Sequence, residues 1–555
     1  MSAHNERVPS IPGTRRCERP AMEFQLADLY ECLCDADPGA PALIVGQRTI
    51  SREQLDRRAN RLAHHLLKQG VGRGDHVGVY SLNRVEWIEA LLACWKIGAA
   101  TININFRYVR SELRYLWENA DMVALIYERA FSPDVGALAP EFPALHTYLV
   151  LEDKSETGPP GPGDHYQSAL AQESEIREFP PRSPDDLYIV YTGGTTGFPK
   201  GTLWRHADLY SNVAHQLGGQ IDRPEEIALQ SGNPLGLRML TLSPLMHGGG
   251  QWPLFICLFN GGVALFPISA HFDPGEILEI IEENRVSTLS IIGDAMGRPV
   301  AEARIHAGTA VDTRSLKAIS SGGALLTAPV RDLLRKAFGK IYVSGGIGSS
   351  EIGTAARETS AFDPATGPRF ALDQRVAVLD DDLRPILPGS GGIGRIARRG
   401  DIPLGYYKDP EKTASTFPSD PDGVRWVVPG DWARVEDDGT ISLLGRGTQC
   451  INSGGEKIFP DEIEAVLAQH PQIRHAAVVG VPDPVWMERV VALVEPLDPE
   501  SPPSLADIQA HCRTLLAGYK TPRGMVIGDL KRTPTGKVDL VWARETAITA
   551  QAPEA

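Results

Sequence analysis

Cysteine is scarce in this 555-residue chain: seven in all, an odd number, with no CxxC pair among them. Only Cys32 and Cys34 lie close together, and no run of His or Cys completes a metal site around them. A disulfide framework or zinc module is therefore not expected, and reduced thiols in a cytoplasmic protein are. Excess positive charge is also lacking. Against 55 Lys and Arg stand 70 Asp and Glu, a net charge of −15, so neither nucleic acid nor an anionic membrane is the expected main partner. A local basic pocket for an anionic ligand stays compatible with that balance. Long hydrophobic runs are missing too. The longest, "WPLFICLFNGGVALFPI" from Trp252, is interrupted by Asn260-Gly261-Gly262 and reads as two buried elements joined by a turn, because a membrane span needs ~20 unbroken apolar residues. The opening stretch "MSAHNERVPSIPGTRRCERP" has no apolar core of signal-peptide size, so a soluble protein without a transmembrane segment is expected.

What is present fits an ordinary globular chain, 42% hydrophobic and 23% charged. Its length predicts two or three domains. A helix is predicted from Ser51, with Leu55, Leu62, Leu66 and Leu67 on one face and Gly70 as its stop, followed by the strand "HVGVY". Helix–strand alternation continues to about residue 345 and argues for an α/β fold with mostly parallel sheets. Residues 152–184 are polar and rich in Pro and Gly and read as a surface excursion. After residue 385 short strands bounded by Gly and Asp appear, and beyond Arg446 a small α+β segment follows, ending in a tail, "TAITAQAPEA", expected to fray. The division falls at 1–448 for a large N-terminal domain and 449–555 for a small mobile one.

The densest chemistry lies in "YTGGTTGFPKG", Tyr191 to Gly201. Glycines let backbone N–H groups turn inward around an anion, threonine hydroxyls add donors, and Lys200 adds charge. It is not a Walker loop, which needs GxxxxGK followed by Ser or Thr, because Pro199 precedes the lysine and Gly201 follows it. The dinucleotide fingerprint GxGxxG is absent here as well. Gly392-x-Gly394-x-x-Ala397 approximates it, but no helix is predicted after it.

These residues resemble the adenylate-forming enzymes: acyl-CoA synthetases, firefly luciferase and peptide-synthetase adenylation domains. Further stretches follow in the family's order: "SPLMHGGG" (Ser243–Gly250), "SSGGALL" (Ser320–Leu326), "GIGSSEIG" (Gly346–Gly353), "VVPGDWARVEDDGTISLLGR" (Val427–Arg446), "INSGGEKIFPDEIE" (Ile451–Glu464) and "KRTPTGKVDL" (Lys531–Leu540). The resemblance implies two half-reactions. A carboxylate oxygen attacks the α-phosphorus of ATP and displaces pyrophosphate; a thiol, that of CoA, then attacks the acyl carbon and displaces AMP. It also implies a set of roles. Thr192, Gly193, Gly194, Thr195, Thr196, Gly197 and Lys200 would serve the β- and γ-phosphates. Glu351, a hard oxygen ligand, would hold Mg²⁺ with Ser350 beside it. Gly322 and Gly323 would form the adenine-side turn, and Asp431 and Arg446 would take the ribose. Lys537 would bridge carboxylate and phosphate during adenylation, after which the C-terminal domain would swing so that Gly454, Gly455 and Lys457 line the CoA tunnel.

Some positions depart from the family pattern: Gly193 stands where many members have serine, Arg395 replaces a frequent glutamate, Gln449 occupies the hinge, and Lys531 replaces a proline. None removes a catalytic group. The strings "GRGTQCINSGGEK" and "ININFRYVRSELRYL" resemble bacterial synthetases acting on steroid side-chain acids and related fatty acids. Gly249, Gly346 and Gly348, with His247 beside the acyl carbonyl, would line a pocket whose missing side chains leave width for a rigid acid; the same glycines could instead serve turns. The partner expected is thus a small carboxylic acid, and a homodimer is left open. Two other readings stand beside the CoA ligase: an adenylate-forming enzyme that loads a carrier protein, and a non-catalytic nucleotide-binding relative, against which the intact Lys200, Glu351, Asp431 and Lys537 argue.

Overall fold

The computed structural model describes residues 24–550, apart from 154, 156–160, 193–198, 215–220, 268, 270, 325, 364–366, 454–455, 484–486, 517 and 534–536. The expected helix is Arg52–Lys68. Ser51 caps it, its side chain accepting from the Gln54 N–H while the Gln54 side chain accepts from the Ser51 N–H, which satisfies two of the four unpaired donors at the helix start. Leu55, Leu62 and Leu66 are fully buried. Gly70 adopts φ +88° at the stop, a conformation that costs a residue with Cβ. Strand His76–Tyr80 follows and lies between parallel neighbours in a five-stranded sheet.

A second sheet runs through most of the N-terminal part. Strands Pro41–Val45, Val263–Phe266, Arg238–Thr241, Thr288–Ile291, Ala318–Ser321 and Tyr342–Ser349 pair in parallel in that spatial order. From the far end of Tyr342–Ser349 the pairing turns antiparallel, through Gly353–Asp363, Gly367–Leu372, Ile441–Arg446, Asp431–Val435 and Ile393–Arg399. The change falls where the sequence texture changes. Parallel strands need helical crossovers, whereas the Gly- and Asp-bounded strands return by short turns. The interrupted apolar run becomes helix Gly248–Phe259 and strand Val263–Phe266, with Gly261 at φ +69° between them. Among the described residues no helix is long and apolar enough to cross a membrane.

The smaller C-terminal part has its own sheet, in which Ile473–Asp483 and Met487–Pro496 are the two longest strands, paired antiparallel, and Gly524–Ile527 joins the second in parallel. Gln449 lies in the single 3₁₀ turn Gly447–Gln449 that links the two parts.

Two expectations are corrected. Residues 152–184 are more than a surface excursion: helix Tyr166–Leu170 buries Tyr166 and Leu170. Arg177 and Arg182 pin the segment to Asp56 and Glu31, the carboxylates that also neutralise the fully buried Lys96. A charge carried so deep needs such partners, and composition does not reveal that they come from a Pro-rich stretch. Of the tail "TAITAQAPEA", the first half does not fray: it ends helix Leu540–Ala550, which buries Ala543 and Ala547 against the C-terminal sheet, while residues 551–555 lie outside the described residues.

Candidate active site

The glycine–threonine stretch joins two antiparallel strands, Leu187–Thr192 and Lys200–Arg205, with Thr192 paired to Lys200 and Tyr191 to Gly201. A Walker loop leads from a strand into a helix; this one returns along its own strand, which is why the lysine spacing differs. Thr192 ends the first strand and Lys200 opens the second. The remaining loop positions, Gly193, Gly194, Thr195, Thr196 and Gly197, lie outside the described residues. Gly201 is dictated by packing, since a Cβ there would come 2.7 Å from the Tyr191 ring.

The hairpin is fixed at several points. Asn103 accepts from the Tyr191 N–H and donates to the Tyr191 carbonyl, both at 2.8 Å, and donates to the carbonyl of Met246 at 2.6 Å. This buried amide therefore joins strand Leu187–Thr192 to the residue before His247. Trp204 donates its indole N–H to the Ser350 carbonyl at 2.8 Å, tying the second strand to the segment that carries Glu351. Segment Gly405–Tyr406 adds a third strand beside Lys200–Arg205.

Both carboxylate oxygens of Glu351 accept hydroxyl protons, one from Ser349 at 2.8 Å and one from Tyr406 at 3.0 Å. Sequence reasoning placed Ser350 next to Glu351 and missed Ser349 and Tyr406. The Ser350 hydroxyl instead faces Gly248, where an added Cβ would lie 3.6 Å from its Oγ. Lys200 is ion-paired with Asp409, and that pairing is the first cause holding the Asp409 carboxyl below its ordinary range. Asp409 was not anticipated either.

His247 stands at the N-cap of helix Gly248–Phe259. Its Nε2 is buried with no hydrogen-bond partner among the described residues. Burial first, then the charges of Arg107 and Lys537, lower its pKa to about 4, so the ring is neutral near pH 7. Lys537 reaches this neighbourhood from the C-terminal part, on a turn in which Thr533 donates its backbone N–H to the Lys537 carbonyl at 2.7 Å. The Arg107 guanidinium lies over the Phe106 ring, 4.5 Å from its centroid.

Asp431 and Arg446 begin and end adjacent strands and pair with each other in register. Gly430 precedes Asp431 at φ +104°. Gly322 and Gly323 follow strand Ala318–Ser321, and a Cβ at either would meet nothing within 4 Å. Lys457 is the middle residue of strand Glu456–Ile458; Gly454 and Gly455 lie outside the described residues.

The glycines near His247 fall into two groups. A Cβ at Gly250 would strike the Pro244 carbonyl oxygen at 2.3 Å, and one at Gly348 the Gly353 carbonyl oxygen at 2.5 Å. Backbone packing alone therefore accounts for those two. At Gly249 the nearest atom would be Ser243 Oγ at 3.8 Å, and at Gly346 the Ala356 carbonyl oxygen at 3.7 Å. Packing does not require glycine at either.

The fold and these motifs define an AMP-binding enzyme, and the chain belongs to that family. Residues 33–407 match the AMP-binding enzyme family, and residues 462–537 match the AMP-binding enzyme C-terminal domain. The chain is 43% identical over 544 residues to a medium/long-chain-fatty-acid–CoA/3-oxocholest-4-en-26-oate–CoA ligase of Mycolicibacterium smegmatis, covering 96% of this chain and 98% of that protein. It is also 43% identical over 536 residues to a 3-oxocholest-4-en-26-oate–CoA ligase of Rhodococcus rhodochrous, covering 94% and 96%. Among solved structures, ATP-bound MatB from Rhodopseudomonas palustris superposes with a TM-score of 0.79 at 26% identity, covering 95% of this chain and all of that one. The anthranilate CoA ligase AuaEII with anthranoyl-AMP gives 0.81 at 23% identity, covering 96% and 99%, a likeness of fold.

Proposed function

We propose that this enzyme is an ATP-dependent acid:CoA ligase that converts a hydrophobic, wide carboxylic acid into its CoA thioester through an acyl-adenylate. The observation that carries the reading is that the strand opened by Lys200 is tied to the segment carrying Glu351, the Trp204 indole N–H donating to the Ser350 carbonyl at 2.8 Å. Adenylation needs cations and a metal-holding carboxylate gathered about the triphosphate, where groups already fixed in place stabilise developing charge without reorganising. The names of relatives 43% identical over nearly the whole chain support the acid class and the CoA acceptor. That packing does not require glycine at Gly249 or Gly346 is compatible with their serving a wide acyl pocket.

In this reading Thr192 and Lys200, with the loop between them, hold the β- and γ-phosphates, and Gly322 and Gly323 the adenine side. Asp431 and Arg446 hold the ribose, and Gly454, Gly455 and Lys457 the CoA tunnel. Glu351 suits Mg²⁺, which is commonly held by one or two carboxylates together with substrate phosphates; hydroxyl donors on both of its oxygens orient the carboxylate without neutralising it. Bound there, Mg²⁺ would offset charge on the triphosphate. The 448/449 division would put a mobile boundary in the turn Gly447–Gln449. ATP and CoA as substrates suit the cytoplasm.

The test is a pyrophosphate-release screen over carboxylic acids with and without CoA, with thioester detected by mass. C26-type steroid acids and medium to long fatty acids should release pyrophosphate and yield thioester only with CoA. Turnover confined to a carrier protein would replace the CoA reading, and no pyrophosphate release with any acid would remove catalysis.

A further inference from the structure

The short segment Gly405-Tyr406-Tyr407-Lys408-Asp409 touches both candidate ATP-site charges, although its own residues lie far from either in sequence. Tyr406 and Asp409 are three positions apart, and between them they reach Glu351 and Lys200. The segment is itself held firmly. Gly405–Tyr406 pairs with Thr202 and Leu203 of the phosphate-loop strand, and the Tyr407 N–H donates to the Gly201 carbonyl at 2.8 Å. Tyr407 and Lys408 both bind Asp121 across the molecule, each at 2.7 Å. Gly405 takes φ +149°, and a Cβ there would lie 2.4 Å from Thr413 Cγ2, so the backbone path admits little else.

Asp409 divides its two oxygens between two tasks. Oδ1 accepts from the Lys412 N–H at 2.9 Å and so caps helix Pro410–Thr416, while Oδ2 pairs with Lys200. A capping carboxylate does not need a lysine, and a lysine meant only for phosphate does not need a carboxylate. The Lys200 side chain remains one-third exposed, and an ammonium has three donors, so one can stay on Asp409 while the others meet a phosphate. Tyr406 does the equivalent for Glu351. It is buried, packs edge-on against Phe417, and gives the carboxylate a donor on the side opposite Ser349.

We propose that Tyr406 and Asp409 are positioning residues for the nucleotide half of the site, a single rigid strap that aims Glu351 and Lys200 at the triphosphate before ATP arrives. The proposal rests on the adenylation reading above. It goes further in assigning to the strap the preorganisation that makes charge stabilisation effective without reorganisation at the moment of reaction.

Asp409→Asn separates the two tasks, because asparagine caps a helix as well as aspartate does but carries no charge for Lys200. The variant should melt with the wild type. Its kcat for pyrophosphate release should fall ~10-fold or more, with KM for ATP changed less than about threefold, the pattern of an interaction spent on the transition state. Independently of activity, labelling of Lys200 by an amine-reactive ester, read by peptide mass, should be several times faster in the nucleotide-free variant than in the nucleotide-free wild type, since the ion pair no longer occupies the amine. Tyr406→Phe should raise the Mg²⁺ concentration for half-maximal pyrophosphate release and leave Lys200 labelling unchanged. Wild-type kcat together with wild-type labelling in Asp409→Asn would overturn the strap, as would an unchanged Mg²⁺ requirement in Tyr406→Phe. ATP protection of Lys200 in the wild type tests the underlying reading by itself. Its failure would remove the phosphate role of Lys200, while labelling without nucleotide still decides whether Asp409 holds the amine.

Discussion

Lys537, exposed on a turn of the C-terminal part, lies close enough to His247 for its charge to help keep that imidazole neutral. The two residues come from opposite sides of the Gly447–Gln449 turn, so their proximity reports one docking of the small part on the large one. Arg298 and Arg474 mark the same contact, with the Arg298 guanidinium donating to the Arg474 carbonyl at 3.5 Å.

Removing that cation should separate the half-reactions. Lys537→Ala is expected to lower acyl-adenylate formation by ~10²-fold or more, yet to convert chemically supplied acyl-adenylate and CoA into thioester at close to the wild-type rate. Pyrophosphate release and single-turnover thioester formation measure the two separately. Loss of both to the same degree would mean one static arrangement serves both steps.

Glu351→Gln keeps the side-chain shape but can accept from only one of Ser349 and Tyr406, its NH2 group being a donor alone, and it holds Mg²⁺ poorly. Pyrophosphate release should drop strongly and the Mg²⁺ titration should shift to higher concentration, with melting temperature little changed. An unaltered rate at limiting Mg²⁺ would take Glu351 out of the metal's shell.

The two kinds of glycine predict opposite outcomes. Gly249→Leu and Gly346→Leu should fold normally and raise KM for wide steroid acids more than for thin straight-chain acids, because neither Cβ meets a close neighbour. Gly348→Ala should instead destabilise the fold by roughly 1–3 kcal/mol, as overpacking does, regardless of substrate. Equal loss on both acid classes for Gly249→Leu would assign that glycine to the backbone.

Acid should unfold the protein partly through His206. It is fully buried edge-on against Trp95, and burial depresses its pKa to about 3. The unfolded chain takes up a proton near the ordinary value of about 6.5, whereas the folded one refuses it down to about 3. Stability carried by the neutral ring is therefore complete above pH 6.5 and falls, by up to ~1.4 kcal/mol per pH unit, as pH drops below it. Urea midpoints from pH 7 to pH 4 should follow this slope, and His206→Asn should flatten it by one proton; an identical slope would exclude His206 as the cause.

Much of this was legible in the sequence. The helix–strand alternation pointed to the parallel sheets, and Ser51 and Gly70 marked the ends of helix Arg52–Lys68, because caps and periodicity are local. The motif string picked out Lys200, Glu351 and Asp431, but not that Lys200 opens a strand returning along the first. Asn103, Ser349, Tyr406 and Asp409 were missed for one physical reason. Each acts through a hydrogen bond or ion pair whose partner is fixed by strand pairing or turn geometry, and a tyrosine, asparagine or aspartate standing alone carries no periodic signal. The burial of Lys96 escaped notice in the same way, since its partners Glu31 and Asp56 are neighbours only after folding.

Gly445 sits in the strand that leads to the connecting turn, at φ +100°, and a Cβ built on it would lie 2.7 Å from the carboxyl carbon of Asp461 on the first helix of the C-terminal part. With no side chain of its own, Gly445 leaves the Asp461 carboxylate its room, and its left-handed backbone suits glycine without strain. The seam where the small part meets the large one is thus shaped in part by a residue that carries no chemistry at all.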